Sequence, residues 1–179
     1  MDRYWQKIPG FTLVELMVAV AVIAVVLVIG VPGIANMKRS SDLTTASKDL
    51  VVALNFARAE AVRQGANITV SSKAGDNNSN FKTGWHVKDG STVVRAFYDI
   101  PTSSNVNLFT DSTVFKGTAP VTFAGLGNVT EASCFDITVT DNSEVRSVSI
   151  SPAGRVTSCN ATCEVIKDNT IAGNPTKCD

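Results

Sequence analysis

The chain reads as an α+β protein: a long N-terminal helix, transmembrane in its first half, packs by its second half on an antiparallel β-sheet head. Three observations predict this. An uncharged apolar run fills Leu16 to Met37. Apolar residues at three- and four-residue steps then continue to Ala61, the spacing of one helix face. Period-two segments separated by turn residues occupy most of what remains.

Composition narrows the function classes. The 179 residues carry 16 Lys plus Arg and 16 Asp plus Glu, a net charge of zero that argues against a generally basic nucleic-acid binder. One His and four Cys leave little for multi-histidine metal chemistry. A hydrophobic fraction of 44% permits one core and disfavours disorder, collagen and a multi-span membrane protein.

The run Leu16 to Met37 is 22 residues without a charge. As a helix it spans about 33 Å, close to the ~30 Å hydrocarbon core of a bilayer. A cleaved secretory signal would use Arg3 and Lys7 as its basic region and Gly33-Ile34-Ala35 as its cut site, but the apolar stretch is long for that purpose. A plain signal anchor explains the length and leaves Glu15 unexplained. That carboxylate sits among Phe11, Leu13, Val14 and Leu16, where lipid makes a charge cost about 2.5–3.5 kcal/mol. A charge kept there needs a partner, and a new α-amino group a few residues upstream would supply one.

Lys7-Ile8-Pro9-Gly10-Phe11-Thr12-Leu13-Val14-Glu15-Leu16 resembles the class III signal of type IV pilins and type II secretion pseudopilins. The resemblance implies that a prepilin peptidase cuts between Gly10 and Phe11, that Phe11 is N-methylated, and that Glu15 becomes the fifth residue of the mature chain. In that family such a carboxylate neutralises the terminus of an adjacent subunit during filament growth. Residues 1–10 would then be a leader and 11–37 a transmembrane and polymerisation helix. Residues 38–65 would continue it as an amphipathic helix, and 66–179 would form a β-rich head.

Within the helix, Pro32 between Gly30 and Gly33 removes a backbone bond and predicts a kink or local melting. Leu43, Ala46, Leu50, Leu54, Ala57 and Ala61 form the stripe that the head must cover, with most charges on other faces. Gly65 is the expected C-terminal stop.

Beyond Gly65, strands are expected at Ile68–Ser71, Trp85–Val87, Val93–Phe97, Val106–Phe109, Val121–Phe123, Phe135–Val139 and Val145–Ile150. Turns are expected at Gly75–Asn80, Asp89–Ser91, Pro101–Asn105 and Asp141–Ser143. Ala57, Ala61, Trp85 and Phe123 read as core packing. Gly125-Leu126-Gly127 reads as a turn, and His86 as a half-buried strand residue.

The head carries a narrower resemblance. Phe56 to Arg63, then Gly84-Trp85, then Gly125, then Ile150-Ser151-Pro152-Ala153-Gly154-Arg155-Val156 are similar to the subgroup that holds pseudopilin H of type II secretion and the minor pilins FimT and FimU. In the DNA-uptake members a C-terminal G-R-x-R motif contacts DNA. Here the positions read Gly154-Arg155-Val156-Thr157, so only Arg155 could make such a contact. From Ala66 onward there are nine Lys/Arg and eleven Asp/Glu, a net of minus two with no evident basic cluster. The resemblance therefore favours a FimU-like minor pilin that joins other minor pilins and the major pilin in a tip complex priming assembly. Such a protein sits in the inner membrane with a periplasmic head before it enters the pilus fibre and supports twitching motility and adhesion. Inner-membrane lipid and the prepilin peptidase are its earlier partners. The alternatives are a pilus DNA receptor and a type II secretion pseudopilin.

Cys134, Cys159, Cys163 and Cys178 all lie in the last third of the head, and an exported head meets an oxidising compartment. Four cysteines permit three pairings. Cys134–Cys159 with Cys163–Cys178 is preferred, because it ties the last strands together and tethers the polar tail from Lys167. A four-thiolate zinc site is the alternative. No nucleophile elbow, HExxH or P-loop is present, so neither catalysis nor a cofactor is expected.

Overall fold

Helix α1 runs from Leu13 to Gln64 in the computed structural model, which describes residues 11–75, 80–97, 104–109, 120–139 and 143–166. The chain divides into two units between Met37 and Lys38, and α1 crosses the boundary. The helix continues through position 32, so the proline does not melt it there.

In the second unit, all six stripe residues from Leu43 to Ala61 are buried, joined by Ala53 and Ser47 on the same face. Gly65 ends the helix with φ +65°, and the Ala66 N–H donates to the Ala61 carbonyl at 3.2 Å, the 6→1 bond of a Schellman cap. Near that end Arg63 Nε donates to Glu60 Oε2 at 2.9 Å. The Arg63 and Gln64 side chains hold the Glu60 carboxyl down to about 2.

Eight strands follow: β1 (Ile68–Ser72), β2 (Trp85–Asp89), β3 (Thr92–Phe97), β4 (Ser104–Phe109), β5 (Val121–Phe123), β6 (Ser133–Val139), β7 (Val145–Ile150) and β8 (Val156–Cys159). They form two four-stranded antiparallel sheets, ordered β3-β2-β1-β5 and β4-β6-β7-β8. The seven expected strands are present with ends shifted by up to two residues. β8 is additional, and the head is split into two sheets. The turn at Asp89–Ser91 joins β2 to β3, with Gly90 at φ +55°. The other three expected turns fall partly outside the described residues.

Both sheets contribute to one core over the α1 stripe. Ile68, Val70, Trp85, Val87 and Phe123 come from the first sheet, and Val106, Phe135, Ile137, Val148 and Ile150 from the second. Phe81, between β1 and β2, bridges them. Its N–H donates to the Val106 carbonyl at 2.7 Å, and its ring meets Phe135 edge-on at 5.0 Å. Trp85 stacks on Phe97 at 6.1 Å, as its core assignment requires. Arg95 lies over the rings of Phe56 and Phe97, at 5.2 and 4.9 Å, fastening edge strand β3 to the helix.

A second seam lies beside the end of α1. Gly125-Leu126-Gly127 is a turn, closed by Gly127 N–H donating to the Ala124 carbonyl at 2.7 Å. Arg58 reaches across it, with Nε donating to the Gly127 carbonyl at 3.0 Å and Nη2 to the Ala153 carbonyl at 3.1 Å. Val129 N–H donates to the Pro152 carbonyl at 3.0 Å, so the β5–β6 and β7–β8 connections are held together. Gly154 sits in this contact at φ +75°, and a Cβ there would come 1.8 Å from the Gly127 carbonyl oxygen.

The expected disulfide pairing is corrected by the register. Cys134 on β6 faces Ser149 of β7, and Cys159 of β8 faces Ser147 of that same strand. β7 thus separates the two cysteines by two strand spacings, about 9.6 Å, where a bridge tolerates about 7 Å between Cα atoms. Cys134 pairs instead with Cys163, their Cα atoms 5.9 Å apart, which excludes both preferred bridges. Cys163 opens a single helical turn over residues 163–166, in which Ile166 N–H donates to the Thr162 carbonyl at 3.1 Å. Cys159 is also disulfide-bonded, while Cys178 lies outside the described residues. None of the three described cysteines offers a zinc thiolate. Among the described residues no three His, Cys, Asp or Glu side chains gather into a metal-holding group.

Cys134 and Asp136 point to the face of β6 opposite the α1 core, where Cys159, Cys163 and Ile166 make a small second cluster. Asp136 Oδ1 accepts the Cys163 N–H at 2.8 Å. Burial pushes the Asp136 carboxyl up, the Cys163 N–H opposes this, and the nearby Glu164 charge adds to the rise.

Two predictions follow from these contacts. Gly154→Ala should lower the stability of the head by about 3 kcal/mol or more, by positive-φ strain plus the collision, whereas Gly65→Ala, with open space around it, should cost about 1–2 kcal/mol; denaturant midpoints separate the two. A carboxyl whose folded pKa is raised stabilises the fold while protonated, and that contribution is lost as pH rises from about 4 through the folded pKa. Asp136→Asn keeps the acceptor for Cys163 and should flatten this part of the stability–pH curve, while Asp136→Ala should lose about 1 kcal/mol across it.

Candidate functional site

The candidate site is the start of α1 and the apolar helix behind it, within the first unit. Gly10 and the rest of the expected leader lie outside the described residues. Phe11 and Thr12 precede the helix in non-helical conformation, and Phe11 is 85% exposed. Thr12 is the N-cap: its carbonyl accepts the Leu16 N–H and its Oγ1 accepts the Glu15 N–H, each at 3.2 Å. Glu15 is therefore the third helical residue, and it is solvent-exposed. A carboxylate in a first turn faces the positive end of the helix dipole.

Behind Glu15 the described side chains are apolar and exposed all round, among them Leu16, Met17, Val18, Val20, Val22, Ile23, Val25, Val26 and Leu27. A helix apolar on every face has no water-facing side and needs lipid or other helices around it. Among the described residues no helix is long and apolar enough to cross a membrane. The sequence continues uncharged from Leu27 to Met37.

The other candidates belong to the second unit. Arg155 is exposed in the β7–β8 hairpin, where its N–H donates to Ser151 Oγ at 3.2 Å. Arg58, whose side chain reaches the β7–β8 turn, is committed to the Gly127 and Ala153 carbonyls. His86 is half-buried on β2, as its strand assignment implies. Three residues escaped sequence reasoning. The Thr12-Leu13-Val14-Glu15 spacing is a capping-box signal that could have marked the helix start. Arg58 and Asp136 carry no local signal, because their partners are 69 and 27 residues distant.

Residues 46–154 match the family model described as type II transport protein GspH, and residues 5–31 match the prokaryotic N-terminal methylation motif. No curated protein matches the chain. Among solved structures, a crystal structure of the type IV minor pilin FimU of Pseudomonas aeruginosa is similar at TM-score 0.55 and 20% identity, over 67% of this chain and 90% of that one. A second crystal form of the same protein gives 0.49 and 19%, over 63% and 89%. The minor pseudopilin EpsH from the Type 2 Secretion System of Vibrio cholerae gives 0.45 and 11%, over 64% and 94%. The likeness at 0.55 is one of fold: a helix carrying antiparallel sheets.

Removing residues 1–37 deletes the apolar exposed helix and leaves the buried stripe with its two sheets. The shortened chain should move from the detergent phase to the aqueous phase in a cloud-point partition, with the β signal in circular dichroism retained.

Proposed function

Because the chain belongs to the GspH family of type II transport proteins and carries an N-terminal methylation motif, we propose that it is a non-enzymatic minor subunit of a pilin-type filament. The observation that carries this reading is a single carboxylate, Glu15, in the first turn of an otherwise apolar exposed helix, immediately after the expected cut. A prepilin peptidase removes residues 1–10 by cutting between Gly10 and Phe11, and Phe11 is N-methylated. Residues 11–37 hold the subunit in the inner membrane with the head, 66–179, in the periplasm. Residues 38–65 link the two. During assembly Glu15 neutralises the α-amino terminus of a neighbouring subunit, and the helix passes from lipid into the fibre.

Within this class we read the chain as a FimU-like minor pilin that joins other minor pilins in a tip complex and primes assembly of the major pilin. The match to a type II transport family favours a second reading, a minor pseudopilin of the secretion apparatus. Gene loss distinguishes them: loss of surface piliation and twitching supports the first, and blocked protein export the second. DNA reception is disfavoured by the head's net charge of minus two and the lone Arg155. Tight, salt-sensitive DNA binding by the head, abolished by Arg155→Ala, would reverse that order.

Mass spectrometry of the mature protein should find a chain starting at methylated Phe11. Glu15→Val should leave membrane insertion intact and lower incorporation into sheared fibres about tenfold or more, since breaking a buried ion pair costs about 3–5 kcal/mol. Normal incorporation of the variant would remove the neutralising role.

A further inference from the structure

Three of the four cysteines lie in one small buried cluster, so which of them join is a choice the fold has to make. The register of β6, β7 and β8 removes Cys134–Cys159. Two pairings remain. In one, Cys163 joins Cys134 on β6, 29 residues away in sequence. In the other it joins Cys159, with three residues between them, and leaves Cys134 for Cys178. Loop closure in a flexible chain becomes less probable as about the three-halves power of loop length, so the unfolded chain favours the local pair by about twentyfold. The folded chain holds Cys134–Cys163. A contact made only on folding must outweigh the local bias.

The turn at residues 163–166 supplies one. Thr162 opens it: its carbonyl accepts the Ile166 N–H at 3.1 Å and its Oγ1 accepts the Val165 N–H at 3.4 Å. Cys163 is the first residue of the turn, so its own N–H is a donor that the turn's backbone leaves unsatisfied. Asp136 lies two residues beyond Cys134 on the same face of β6, and its Oδ1 accepts that N–H at 2.8 Å. Ser147 adjoins Asp136 in the register, yet its buried Oγ has no partner, so the carboxylate is turned to the Cys163 amide instead. We propose that Asp136 selects the disulfide pairing. By capturing the Cys163 N–H it sets the turn against β6, brings the Cys163 thiol to Cys134 and draws it away from Cys159. Asp136 is a positioning residue and takes no proton from a thiol. With oxidised glutathione as the oxidant, one cysteine thiolate displaces a glutathione thiolate and forms a mixed disulfide, and the second cysteine thiolate then displaces the other. Two electrons pass to glutathione, and the two thiol protons end on its two released thiols.

The full-length chain in detergent micelles is reduced in denaturant, returned to native buffer near pH 8, and held with reduced and oxidised glutathione until its pairing is constant. Trypsin cutting at Arg155 and Lys167 leaves Cys159 and Cys163 in one fragment. Mass spectrometry finds that fragment joined to the Cys134 fragment in the native pairing and free of it in the local one. Asp136→Asn keeps the acceptor and should hold the ratio of native to local pairing within about twofold. Asp136→Ala should move it about tenfold toward the local pair, the effect of losing a hydrogen bond to a charged group. Asp136→Thr suits a strand and stops its oxygen one bond short; it should move the ratio the same way, and decides the matter if the Ala variant does not refold. Ile137→Val weakens the opposite, α1-facing side of β6 without touching the acceptor, and should leave the ratio unchanged. A shift in Ile137→Val as large as in the Ala or Thr variant overturns the proposal, as do equal ratios in every variant. An Asn variant that mispairs like the others overturns it too, and so does an unaltered chain that settles on the local pair.

Discussion

The head exists to cover one stripe of one helix. From Leu43 to Ala61 the buried side of α1 alternates leucine with alanine, and the small residues let sheet side chains approach the helix backbone closely. A single four-stranded sheet covers one side of a helix. Here two sheets share the task, so their edges must be joined, and the joins are specific. Phe81 couples the β1–β2 connection to β4 through one hydrogen bond and to β6 through one ring contact. The turns around Gly127 and Gly154 couple β5 to β7–β8 through the Arg58 side chain and the Val129 amide. The polar atoms of these seams sit at the rim of the stripe, where their hydrogen bonds replace those that water would make.

The other half of α1 follows the opposite logic. No described side chain between Phe11 and Leu27 is buried, and each apolar group there is a demand on surroundings that the chain does not itself supply. The same helix is therefore finished in its second unit and unfinished in its first. That asymmetry is the physical content of the family assignment: a folded cargo attached to a stem that becomes stable only in lipid or among other stems.

Local features of the sequence carried well into the structure, and long-range ones did not. The stripe of α1 was legible because helical periodicity is local, and Gly65 because a positive-φ stop is a single-residue event. Seven strands were legible by alternation. β8 was not, because Val156-Thr157-Ser158-Cys159 is an edge strand paired only with β7, and its first three residues are just half-buried. The division into two sheets depends on which strands pair, information that no short window contains. The disulfide failed for the same reason: a bridge tying the last strands together favoured Cys159, whereas register placed a whole strand between it and Cys134. At the candidate site, Gly10, Phe11 and Glu15 stood out as a motif, but the cap at Thr12 needed the position of the helix start. Arg58, grouped in sequence with solvent-facing charges, proved to be half-buried against two turns for which its own segment gives no sign.

The Cys134–Cys163 bond also changes how the second sheet answers tension. β8 is an edge strand, and a pull on the chain beyond it would ordinarily peel it away one hydrogen bond at a time, the least resistant geometry for a sheet. With Cys163 bonded to β6, the chain just past the end of β8 is anchored to an interior strand that is paired on both sides, so β8 can fray no further than that short loop allows. Freeing β6 means breaking both of its ladders, to β4 and to β7. The covalent loop thus pins the free end of an edge strand to the middle of its own sheet.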